Sequence, residues 1–281
     1  MSTLVPPLFA GLVDDASTLT PGVTTVAEAL AAHTQHAAAW YRDLLGSFLI
    51  PASLIGRDLP PAGRPVGVVN DAAVAALPAV VSKLRVAGAA VGHVEAAVAR
   101  RGEDPQPGIA ALRRFAADDE DLEVYAEIPL SWGLLAALDT VAEARGGGLR
   151  IAPKFRVGGL AAELFPTPVE LAAVICACRD RDLPFRLAAG MRHALRHTDP
   201  ETGFTHHGFL NVLVGALYAA DGSEVAEVAE ALAATHPVPL VEPARAHRDG
   251  PRPLLVGFGT ADVMDPLTEL IRLGLVNGGF E

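Results

Sequence analysis

Leu149-Arg150-Ile151-Ala152-Pro153-Lys154-Phe155-Arg156-Val157-Gly158-Gly159, then Thr167-Pro168-Val169-Glu170, then Phe185-Arg186-Leu187-Ala188-Ala189 decide the fold of this chain. The first run, over Leu149–Arg156, reads as a mostly buried strand. Thr167 followed by Pro168 and Glu170 is a capping box with proline at the first helical position, so a helix starts there. Leu171, Val174, Ile175 and Cys178 then share one helical face. Phe185–Ala189 is a second apolar strand. A strand, a capped helix and a strand in this order imply parallel neighbours, because parallel strands need a crossover connection.

The same rhythm extends outward. Strand-like runs occur at Ser47–Ser53, Val66–Val69, Ala87–Val94, Leu122–Pro129 and Pro253–Phe258, with a weak eighth near Val238–Val241. Helical spacing separates them. Val26–Leu45 and Ser223–Thr235 read as helices, Leu134, Leu135, Leu138, Val141 and Ala142 share a face, and Asp265-Pro266 opens a last helix. Seven or eight such units fit a single (β/α)8-type barrel over residues 26–281, with residues 1–25 as a loose lead-in. An open, mostly parallel α/β sheet is the alternative. No G-x-G-x-x-G follows the first strand, which argues against the dinucleotide-binding version.

The chain has 281 residues, 51% of them apolar, and a net charge of −11. That charge argues against nucleic acid, whose affinity comes from phosphates neutralised by Lys and Arg. The charges are interspersed without a basic run for a membrane surface. The apolar stretches are too short or too interrupted to span a bilayer, and the start lacks the pattern of a signal peptide. A cytoplasmic location is the expectation, and self-association is left open. The two cysteines, Cys176 and Cys178, fall at helical i and i+2 and point in different directions. They read as buried small side chains.

In a parallel barrel, chemistry collects at the C-terminal ends of the strands. Lys154 and Arg156 are two apart and project to the same side. Such a pair attracts a carboxylate or phosphate, with Gly158 and Gly159 letting backbone N–H groups approach. Lys154 is also a candidate Schiff-base nucleophile if desolvation lowers its pKa; the bland alternative is that both chains snorkel to the surface. After the next strand, Arg192 and His193 pair an anion binder with a proton carrier. His193, His197, His206 and His207 lie close enough in sequence for a metal site, although the spacing matches no strong zinc pattern. Asn211 lies one helical turn beyond His207. Glu95 and Glu127 sit in strands, where a buried carboxylate needs a partner; Lys154 or Arg156 would supply one, and Glu127 would serve as a base. Gly257 and Gly259 in the last strand are candidate phosphate contacts, or a tight turn.

Pro153-Lys154-Phe155-Arg156-Val157-Gly158-Gly159, Ala189-Gly190-Met191-Arg192-His193 and His207-Gly208-Phe209-Leu210-Asn211 resemble a bacterial family of uncharacterised proteins. That family carries Lys-x-Arg-x-Gly-Gly, a capped helix, Ala-Gly-x-x-His and His-Gly-Phe-x-Asn. The resemblance covers roughly the second half of the chain. It implies that Lys154, Arg156, His193, His207 and Asn211 form one site, and it implies no activity.

Together these residues suggest an enzyme acting at a carbon next to a carbonyl, of lyase, aldolase or isomerase type, on a small anionic substrate. Lys154, His193 and Glu127 would be catalytic. Arg156, Arg192, Gly158, Gly159, Asn211, Gly257 and Gly259 would bind substrate, and no cofactor is favoured. The alternatives are divalent-metal enolisation or hydrolysis through His193, His207 and Glu95, and a non-catalytic barrel that binds an anion or a partner.

Overall fold

The computed structural model describes residues 4–19, 24–55, 65–189 and 191–278. Eight parallel strands close into a barrel flanked by helices. They are β1 (Val13–Asp15), β2 (Leu45–Pro51), β3 (Pro65–Asn70), β4 (Ala90–Ala97), β5 (Glu123–Glu127), β6 (Ile151–Arg156), β7 (Phe185–Ala188) and, after a small hairpin of β8 (His197–Thr198) and β9 (Thr205–His206), β10 (Leu255–Thr260). The helices are α1 (Val26–Ala38), α2 (Leu77–Val86), α3 (Gln106–Ala117), α4 (Leu134–Gly146), α5 (Pro168–Arg179), α6 (Phe209–Ala220), α7 (Val225–Ala233), α8 (Val238–Ala246) and α9 (Met264–Arg272). Among the described residues, no helix is long and apolar enough to cross a membrane.

Three sequence expectations are corrected. The lead-in is not loose throughout. Leu8 and Phe9 are fully buried, and Val13–Asp15 forms the eighth barrel strand with all three residues buried. The run at Val238–Val241 is not a strand but the start of α8. Leu240, Val241 and Ala244 are its buried positions, at helical spacing, and prolines occupy its first turn. The Val26–Leu45 helix ends early, at Ala38, and a short turn at Arg42–Leu44 leads into β2.

Contacts divide the chain into two compact units. The unit formed by residues 15–35 and 47–155 carries most of β2 and β6 and all of β3, β4 and β5. Its strands pair in register, with Gly67 beside His93, Glu95 beside Tyr125, and Glu127 beside Lys154. One face of β4 and β5 is apolar, with Val94, Ala96, Val124 and Ala126 at most 2% exposed, where α2 and α3 pack. The opposite face carries polar residues at every second position.

The other unit comprises residues 1–14, 36–46 and 156–281. The capping box of α5 is formed, the Thr167 hydroxyl accepting from the Glu170 N–H while the Glu170 carboxylate accepts from the Thr167 N–H. Helix α6 is buried at ten of its twelve positions, because α5, α7 and α8 pack around it and it also touches β10. Phe209 of α6 stacks on Phe258 of β10 at 5.4 Å.

Candidate functional site: a buried lysine between two carboxylates

The polar face of β4, β5 and β6 holds a charge cluster near the C-terminal ends of the strands. Lys154 Nζ donates to Glu95 Oε2 at 2.8 Å and lies 2.7 Å from Glu127 Oε2. The strand geometry explains this meeting. Lys154 and Glu127 are direct neighbours across β6 and β5, and the long lysine stem reaches one strand further to β4. The Lys154 and Glu95 side chains are only 3–4% exposed, whereas Glu127 is 17% exposed. Glu127 is therefore more accessible than Lys154 or Glu95.

Burial alone would push the Glu95 carboxyl up. The Lys154 ammonium and the adjacent His93 outweigh it and hold the group at about 2. Burial alone would likewise drive Lys154 down, but Glu95 and Glu127 outweigh it and raise the ammonium above its ordinary range. The direction favours a stabilised ammonium over the free amine that a Schiff-base nucleophile needs.

His93 completes the cluster. Its Nε2 lies 3.3 Å from Glu95 Oε1 and its Nδ1 lies 3.4 Å from Ser47 Oγ. The ring sits edge-on to Tyr125 at 5.4 Å between centroids. Gly67 makes this placement possible, since a Cβ there would come within 2.5 Å of His93 Nε2. Burial, together with Glu123 and Glu95, pushes the Tyr125 hydroxyl well up and keeps it neutral. The sequence reading passed over His93 although His93 and Glu95, two apart in one strand, share a face.

Arg156, two residues beyond Lys154, is exposed at the end of β6. Gly158 is buried and Gly159 exposed; a side chain on Gly159 would meet Leu164 Cδ1. Gly257 has a packing reason to be glycine, because a Cβ there would lie 2.8 Å from the Leu12 carbonyl that Phe258 N–H donates to. Gly259 is half-buried in the same strand.

The other motif residues belong to a different neighbourhood, in the segment between β7 and α6. Arg192 is ion-paired with Asp265 at 2.9 Å, and His193 Nδ1 meets Glu269 Oε1 at 2.8 Å, both carboxylates being on α9. His193, Leu195, His197 and Arg272 border a cavity of about 360 Å3 beside that helix. His193 and His197 pack at 4.3 Å between ring centroids, and His197 stacks on His206 at 5.2 Å.

His207 is buried, with Nε2 donating to the Pro166 carbonyl at 2.8 Å and Nδ1 facing Arg196 at 3.3 Å. Asn211 is fully buried and spends its amide on Arg196 N–H, Ala231 O and Ala234 O. His207, a metal ligand in the sequence reading, has both ring nitrogens engaged and offers no lone pair to an ion. Gly190, in the second motif, lies outside the described residues.

Two further buried pairs were not read from the sequence. Asp15 Oδ2 bonds His33 Nδ1 at 3.1 Å in one unit, and Arg186 pairs with Asp14 in the other. In the first, burial pushes the Asp15 carboxyl up, but hydrogen bonds from His33 and Ser17 outweigh it and leave it lowered. No family model, curated protein or solved structure matches the chain.

Proposed function

We propose that this protein is an enzyme that moves a proton at a carbon next to a carbonyl of a small carboxylate-bearing substrate, in the manner of a lyase, aldolase or isomerase. The observation that carries the reading is the buried Lys154 ammonium, held at 2.7 and 2.8 Å between two carboxylates of unequal exposure.

Lysine has three N–H donors, and two are directed at Glu95 and Glu127. The third is left for a substrate oxygen. Glu127, the more exposed carboxylate, takes the proton from the carbon. The C–H electron pair becomes the enolate double bond and the negative charge moves to oxygen. Lys154 then donates to that oxygen, in a dry environment where a fixed positive charge acts strongly. Return of the proton to a different carbon gives isomerisation; expulsion of a β leaving group, which departs with its bonding electron pair and takes up a proton, gives a lyase outcome; and attack of the enolate carbon on an aldehyde, whose oxygen then takes up a proton, gives an aldolase outcome.

The test is deuterium wash-in from heavy water into a panel of 2-oxo and 3-oxo carboxylates, followed by proton NMR. At least one compound exchanges with the wild-type protein. Lys154→Met lowers the exchange rate by ~100–1000-fold and Glu127→Gln by ~100–10,000-fold, each variant being checked for fold by circular dichroism. Binding of a panel member without any exchange identifies a non-catalytic anion-binding barrel instead.

A further inference from the structure

The geometry points to a divalent transition-metal site at His93 Nε2 and Glu95 Oε1. His93 is 4% exposed, yet its Nε2 has no hydrogen-bond partner among the described residues. A buried polar atom left in that state costs roughly 1–3 kcal/mol, so an unmatched nitrogen in a charged cluster calls for an explanation. Glu95 Oε1 stands 3.3 Å away but outside hydrogen-bond geometry. Two ligands of a tetrahedral ion with bonds of about 2.0–2.2 Å stand roughly 3.3–3.5 Å apart. The observed separation is that of two ligands facing a common ion.

The groups behind the two atoms fit the same reading. A ligating histidine usually binds through one nitrogen while the other is held by a polar neighbour, and ligating carboxylates are themselves hydrogen-bonded. His93 Nδ1 has Ser47 Oγ at 3.4 Å. Glu95 divides its oxygens, Oε2 accepting from Lys154 at 2.8 Å and Oε1 facing His93. An imidazole with a carboxylate suits zinc, cobalt, nickel or iron rather than magnesium or calcium, which prefer all-oxygen sets. The remaining coordination positions would go to water or to a substrate oxygen.

Metal binding here is independent of the proton-transfer reading, and its test needs no substrate. Untagged protein is stripped with a chelator, then titrated with zinc against a chromophoric competitor and, separately, with cobalt followed by visible absorption. One equivalent of each binds, and cobalt shows the intense bands of a tetrahedral site. His93→Gln and Glu95→Gln each weaken binding by more than ~100-fold, and Ser47→Ala weakens it by ~10-fold. The double variant His193→Gln/His197→Gln, in the segment before α6, binds as the wild type does. Absence of binding by the wild-type protein overturns the site whatever the variants do. So does full binding by folded His93→Gln, or loss of binding in the double variant.

Discussion

His207 shows how a motif residue becomes structural once its neighbours are known. Burial pushes its imidazole down to about 4, helped by the Arg196 guanidinium and opposed by the bond to Pro166 O. The folded state therefore holds His207 neutral, with its proton on Nε2 for Pro166 and Nδ1 left to accept from Arg196. An unfolded chain has a histidine of pKa about 6.5. Between pH 6.5 and 4 the unfolded state binds the additional proton, so stability falls with acid across that window and levels off below it. The loss amounts to up to ~3 kcal/mol. Urea unfolding from pH 7.5 to 4 should show this slope in the wild type and a shallower one in His207→Gln, which keeps a donor for Pro166. Equal slopes would mean that His207 titrates normally in the folded protein.

At the level of elements, the alternation of strands and helices was legible because each element carries its own pattern. Seven of the eight barrel strands are apolar runs in sequence, and α5 carries a complete capping box. The eighth strand was hidden. Val13–Asp15 is three residues long and two of them are acidic, so neither period nor propensity marks it. Its strand conformation comes from the neighbours it pairs with, and its Asp14 is tolerated because Arg186 meets it. Val238–Val241 failed in the opposite sense, since a short apolar run does not distinguish strand from helix. The β7–α6 segment was least legible, because a long connection has no period from which to infer where its side chains turn.

Asn211 fixes that segment to the helices behind it, joining Arg196 N–H to the carbonyls of Ala231 and Ala234. Asn211→Leu leaves all three groups without their partner. It should cost ~2–4 kcal/mol in urea unfolding and quicken proteolysis between residues 191 and 207. A change below ~0.5 kcal/mol would show that water replaces the amide and that the clamp is dispensable.

Over the whole molecule, the central expectation from sequence was that buried carboxylates on separate strands would need a lysine or arginine, and Lys154 does bridge Glu95 and Glu127. What could not be read is which polar residues share that neighbourhood. Motif residues such as His193 and Asn211 find their partners on α9 and in the α6–α7 packing, which their order in the sequence does not reveal. His93 was available to a reading of alternate strand positions and had no motif to draw attention to it. The net charge of −11 adds a constraint: the field of the molecule does not attract anions, so the proposed recognition of an anionic substrate needs a local cation, and Lys154 is the one in the cluster.

The chain contains two lysines, Lys83 exposed on α2 and Lys154 in the cluster, which permits a direct observation. Protein labelled with 15N-lysine and freed of metal by chelation gives two side-chain signals, and Lys154→Met identifies which is which. The account predicts that Lys154 is a fully protonated ammonium at neutral pH, with its protons exchanging slowly enough to be seen at pH 8, where those of Lys83 are lost to solvent. A neutral Lys154 amine at pH 7 to 8 would contradict the account. It would return the residue to the role of a nucleophile.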